Sequence, residues 1–317
     1  MKPLVLVSIL LLVAGCDDGD ASADNDGAGG HSGGGVVTCP ATPPAGFVCV
    51  EAAEFYMGSP ASETSRNDDE ARHLVRITRP FLLGVHEVTQ AEWAAHMPYN
   101  PSWFSETGNG CEIEPCENRP VERVNWFDAV SYLNARSAAE QLTACYAIDG
   151  CTGTPGEGCE EGAEDCLSGY RCTTVTPVPD CTGYRLPTEA EWELAARAGE
   201  EAERYGPVDE IAYYVGTSRG RTRPVGGKAP NAYGLYDMYG NVAEWVFDRY
   251  DREYVFFGRP DEAVEDPMGG EFNDTRSLRG GAWNQGLDNC RAAFRGSQFA
   301  TFHGHYLGLR AARNVSP

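Results

Sequence analysis

Positive charge is scarce in this 317-residue chain: 25 Lys and Arg stand against 47 Asp and Glu, for a formal net charge of -22. That balance excludes a nucleic-acid partner, because phosphate binding needs a basic surface that no local patch here easily supplies. It suits solubility in an extracytoplasmic space instead. Long apolar runs are missing as well. The main one, Leu4 to Val13, is too short to span a bilayer as a helix. The six histidines include no His-x-x-x-His spacing and the twelve cysteines no Cys-x-x-Cys. The common sequence marks of a histidine metal site or a zinc ribbon are therefore absent. Neither a P-loop nor a dinucleotide fingerprint occurs.

The N-terminus carries an export pattern. Lys2 supplies a positive start, Leu4 to Val13 an apolar stretch, and Val13-Ala14-Gly15-Cys16 resembles a bacterial lipobox. Residues 1–15 read as a signal peptide, and Cys16 as the first mature residue and lipid carrier. Residues 16–36 are mostly Asp, Gly, Ser and Ala and cannot bury enough surface to fold. They read as a flexible tether, with a reach on the order of 5–6 Å times the square root of its length. The expected location is the bacterial cell envelope, on the periplasmic side of either membrane or on the cell surface, with the membrane engaged through the lipid.

The folded part is expected over 37–317. Hydrophobic residues make up 42% of the chain, enough for a core, while 37 Gly and 20 Pro point to many turns. Strands are expected from Phe55 to Ser59, around Leu74 to Thr78 and from Phe81 to Val88. Thr89 with Glu92, and Thr188 with Glu191, have capping-box spacing; Asn125 with Asp128 caps a third helix. No convincing helix is expected beyond Tyr213.

Cys39 with Cys49 and Cys111 with Cys116 form local pairs suited to an oxidising compartment. An insertion at 145–181 holds Cys145, Cys151, Cys159, Cys166, Cys172 and Cys181 in Gly- and acid-rich sequence. Such a segment needs covalent staples because it makes no core of its own, and its connectivity is open at this level. With Cys16 lipidated, Cys290 is left without a partner.

Several motifs fall in a fixed order. They include Phe55-Tyr56-Met57-Gly58-Ser59, Val85-His86-Glu87-Val88-Thr89, Tyr184-Arg185-Leu186-Pro187-Thr188-Glu189 and Asp237-Met238-Tyr239-Gly240-Asn241-Val242-Ala243-Glu244-Trp245. Leu278 to Arg295, with Gly280-Gly281, and Leu307-Gly308-Leu309-Arg310 close the set. Together they make roughly residues 45–315 resemble the formylglycine-generating enzyme family, also called sulfatase-modifying factors. The resemblance implies an α+β, modified C-type-lectin-like fold, rich in loops, with small sheets and short helices.

It also implies where chemistry would sit. Family oxidases bind copper(I) through two cysteines five residues apart; the later matches Cys290, but the earlier falls on Gln285. A neutral amide does not replace a thiolate for that soft ion. The family's serine after the paired glycines is Ala282 here, and the tryptophan of its Gly-Asn-x-x-Glu-Trp motif is Ala243. Asp237, Gly240, Val242 and Glu244 match one structural calcium site, with oxygen donors suited to a hard cation. The reading is a binding or accessory module for a peptide or protein of the cell envelope. The alternative is an oxidoreductase that converts a sulfatase cysteine to formylglycine, with Cys290 catalytic and copper as cofactor.

Overall fold

The computed structural model describes residues 37–108, 111, 114–158, 169–252, 262–270 and 274–316. The expected signal peptide, Cys16 and the tether lie outside the described residues, as do Cys159 and Cys166. In chain order the first half holds β1 (Phe47–Val50), β2 (Ala53–Met57), β3 (His73–Ile77), β4 (Phe81–Gly84), α1 (Gln90–Ala94) and α2 (Trp126–Ala139). The insertion holds β5 (Tyr146–Asp149) and β6 (Thr174–Pro177). Then come β7 (Tyr184–Arg185), α3 (Glu189–Arg197), α4 (Val208–Ile211), β8 (Ala243–Arg249), β9 (Val264–Glu265), β10 (Thr275–Arg279), β11 (Gly296–Phe299), β12 (Leu307–Leu309) and β13 (Ala312–Asn314).

Among the described residues the strands form four small sheets, ordered β1-β4-β13-β7, β11-β10-β8-β12, β2-β3-β9 and β5-β6. This is the loop-rich α+β architecture expected. The helix starts follow local chemistry. Thr89, Asn125 and Thr188 each accept from the backbone of the third helical residue, and each of those residues, Glu92, Asp128 and Glu191, bonds back to its cap. Helix α3 stops where Ala198 turns left-handed, at φ 47°. The expected strand through Val88 ends at Gly84 instead. Beyond it Val85 N bonds Gly46 O and Val88 N bonds Leu309 O, so the backbone leaves one ladder for two separate partners.

Two apolar clusters fill the interior. Trp93, Trp126 and Trp245 belong to one, and Trp192, Phe81 and Met238 to the other. Trp93 stacks on Tyr132 with ring centroids 4.8 Å apart. Trp93 and Trp126 are both fully buried core side chains. Disulfides join Cys39 to Cys49 and Cys111 to Cys116, and in the insertion nest Cys151–Cys172 inside Cys145–Cys181. Among the described residues no helix is long and apolar enough to cross a membrane.

Candidate functional site

The segment after β10 is built on a turn. Gly280 and Gly281 take φ of 96° and 70°, a region that side chains with a Cβ disfavour. A Cβ on Gly281 would stand 2.9 Å from Asn289 O, so the turn packs directly on the backbone that delivers Cys290. Cys290 is fully buried. It is the free cysteine among the described residues. Its Sγ contacts Gly286 O at 3.5 Å. Burial pushes the thiol up to about 12, against the pull of Arg204. Its surroundings favour the thiol over the thiolate, which is the form that acts as nucleophile or metal ligand.

Gln285 is half-buried. Its backbone bonds Ala282 O and receives Val215 N, and its Oε1 has no partner. Ala282 and Ala243 pack in the apolar cluster that holds Trp93, while Cys290 packs in the other. Trp283 donates to His305 O at 3.0 Å and stands 5.3 Å from Phe104, ring to ring. Phe104 N in turn bonds Glu122 Oε1 at 2.8 Å. The other Glu122 oxygen is buried without a partner. Burial pushes that carboxyl up to about 8.

Asp237 and Glu244 come close, but their oxygens are used differently. Strand β12 runs parallel to β8 with Gly308 opposite Glu244, which brings Arg310 onto that carboxylate. Arg310 Nη2 lies 2.7 Å from Glu244 Oε1, and Trp192 Nε1 donates to Oε2 at 2.7 Å. Asp237 accepts Gly226 N at 2.6 Å through Oδ2, and its Oδ1 is buried and unpartnered. Gly240 lies against Tyr213, where a Cβ would meet its carbonyl at 2.4 Å. Val242 is fully buried.

The acid that sequence reasoning missed is Glu87. It is fully buried and neither of its oxygens has a partner. Burial, and then the negative charge of Asp237, hold it well above the carboxylate range. The only sequence signal is an acid set between Val85 and Val88. Asp237 Oδ1 and the two Glu87 oxygens suit a hard cation; Glu244 suits one only if Arg310 lets go. Among the described residues no group of three or more His, Cys, Asp or Glu side chains is disposed to hold a metal.

The arginines of the C-terminal motifs point inward. Arg279 pairs with Glu193, Arg291 with Glu70 and Glu63, and Arg295 with Glu189. His303 and His305 lie in the turn before β12.

This combination of small sheets, capped short helices and a glycine turn ahead of a buried cysteine defines a class. The description "Sulfatase-modifying factor enzyme 1-like domain" matches residues 35–315, and the chain belongs to that family. It is 33% identical over 256 residues to a protein of Paenibacillus barcinonensis named Chaperone protein LppX, covering 74% of this chain and 80% of that one. Over 301 residues it is 29% identical to the Formylglycine-generating enzyme of Streptomyces coelicolor, covering 85% and 90%. It is 32% identical over 277 residues to a protein of Chlamydia pneumoniae named Serine/threonine-protein kinase pkn1, but spans only 38% of that protein. Among solved structures, Treponema denticola variable protein 1 matches with a TM-score of 0.69 at 28% identity, covering 84% of this chain and 94% of that one.

Proposed function

We propose that this chain is a lipid-anchored envelope protein whose sulfatase-modifying-factor domain serves as a binding or accessory module, without copper oxidase activity. One observation carries the reading: at the family's cysteine pair one thiol remains, Cys290, fully buried, and Gln285 stands in the other position. Two thiolates are what copper(I) asks of this pair, and the chain offers one at most. The name of the relative LppX, a chaperone protein, supports an accessory role toward another polypeptide.

The experiment is an anaerobic copper(I) titration followed by an oxygen electrode assay with a Cys-x-Pro-x-Arg peptide. Weak copper binding and no peptide-dependent oxygen uptake are expected. Tight binding that is lost in Cys290→Ser, together with turnover, would establish the formylglycine-generating oxidase instead.

A structural calcium ion is part of the proposal. Asp237 would be its carboxylate and Gly240 and Val242 its carbonyl donors, with Glu87 as the nearby acid whose oxygens are unpartnered and Glu244 held by Arg310. An ion bound only by the folded state raises stability. Chelation is expected to lower the melting temperature, and Asp237→Ala to abolish that response. Melting curves that coincide with and without chelator would remove calcium from the proposal.

A further inference from the structure

A cavity of about 430 Å³ opens between the insertion and the sheet that ends in β7, beside its neighbour β13. Its volume lies within the range of roughly 300–1,000 Å³ usual for small-molecule sites. None of Cys290, Gln285, Asp237 and Glu244 lines it. We propose that this cavity binds an uncharged, apolar small molecule.

The wall chemistry selects the ligand. The apolar side is made by Tyr146, Phe247, Leu186, Val178, Val315 and Met268. The Tyr146 and Phe247 rings stack at 5.8 Å and 11°. The charged side chains of the wall are already engaged with the protein. Arg185 turns both terminal nitrogens to Glu191, at 2.6 and 2.7 Å, and its Nε to Asn314 at 2.8 Å. Glu191 also accepts Thr188 N at 2.8 Å. The Tyr146 hydroxyl accepts Leu186 N, Thr182 Oγ1 accepts Thr143 N, and Asp266 accepts Thr78 N. Arg79 and Asp180 pair with each other at the rim, both in solvent.

A charged ligand would give up its water here and meet no unengaged counter-charge in the wall. An apolar ligand loses nothing by that. Pro80, Pro177 and Pro179 on the lining remove three further backbone donors. The cavity is also built without a ligand, because Cys145 and Cys181, joined by a disulfide, both line it. A preformed wall spares the ligand the cost of ordering it.

The test is fluorescence titration of the purified protein with N-phenyl-1-naphthylamine, an uncharged probe that brightens in apolar surroundings. A saturable rise with one-to-one stoichiometry is expected. Val178→Trp and Val315→Trp, each at a half-buried wall position, fill the cavity; both are expected to lose the saturable signal while their melting temperatures stay near the parent's. Val215→Trp, on an exposed loop elsewhere, is expected to keep it. Dodecanol is expected to displace the probe at lower concentration than dodecanoate. No saturable rise, unchanged binding in both wall variants, or equal displacement by alcohol and carboxylate would overturn the proposal.

Discussion

Glu193 ties together three parts of the chain that are remote in sequence. Its Oε1 receives Gly58 N and Arg197 Nε, each at 2.8 Å, and its Oε2 receives Arg279. Burial pushes this carboxyl up, and Arg197 and Arg279 more than reverse it, so it sits below its ordinary value. Removing one member of such a pair strands the other charge in the interior. Glu193→Ala is therefore expected to cost about 3–5 kcal/mol, read from urea denaturation. Glu122 behaves in the opposite sense, since no cation pairs closely enough to offset burial and its carboxyl rises from an ordinary 4.5 to about 8. Between those values the folded protein keeps a proton that the unfolded chain has released. Stability from this group is thus greatest at low pH and is lost as pH rises through that window. Glu122→Gln mimics the protonated form and keeps an acceptor for Phe104 N. The fall in melting temperature from about pH 5 to about pH 8 should be shallower in the variant than in the parent; parallel falls would assign it to other groups.

At the scale of elements, the helices and the insertion are stabilised by different means. Each of the three capping boxes satisfies donors within its own first turn, so α1, α2 and α3 start where local sequence says. Among the described residues the insertion has one two-stranded sheet, β5 with β6, and five of its eight residues are exposed. An isolated hairpin is marginal in water, and here Cys145–Cys181 closes its base across 36 residues. Loss of a bridge of this kind costs about 2–4 kcal/mol. The double variant Cys145→Ser, Cys181→Ser should show it as a lower urea midpoint. A midpoint equal to the parent's would mean that packing on α2 is sufficient.

Across the whole molecule, the excess of acid is partly internal. Glu70, Glu87, Glu122, Glu189, Glu193, Asp237 and Glu244 are buried, and Arg279, Arg291, Arg295 and Arg310 are buried with most of them. Every described residue falls in the unit Val36–Pro317, and Cys16 precedes it. The proposed lipid on Cys16 therefore concerns where the domain is held, not how it folds. Cys16→Ser is expected to move the protein from the membrane fraction to the soluble one with an unchanged melting temperature. Unaltered fractionation would remove the anchor.

Whatever depended on neighbours within a few residues was readable in the sequence: the three capping boxes, the short disulfide loops at Cys39–Cys49 and Cys111–Cys116, and the family motifs. Such contacts form from local chain order alone, with little loop closure. The arginine partners were not readable, because Arg310 meets Glu244 across 66 residues, Arg295 meets Glu189 across 106 and Arg291 meets Glu70 across 221. The early end of β4, the nested bridges of the insertion and the apolar cavity also depended on distant segments. Glu87 shows the difference most plainly. Its motif placed it in the family, but only the packed fold surrounded it with Asp237 and Glu244 and left its own oxygens without a donor. A residue's type and local spacing determine what it can bond. Which groups arrive to meet it, and whether water is shut out, is decided when remote parts of the chain close around it.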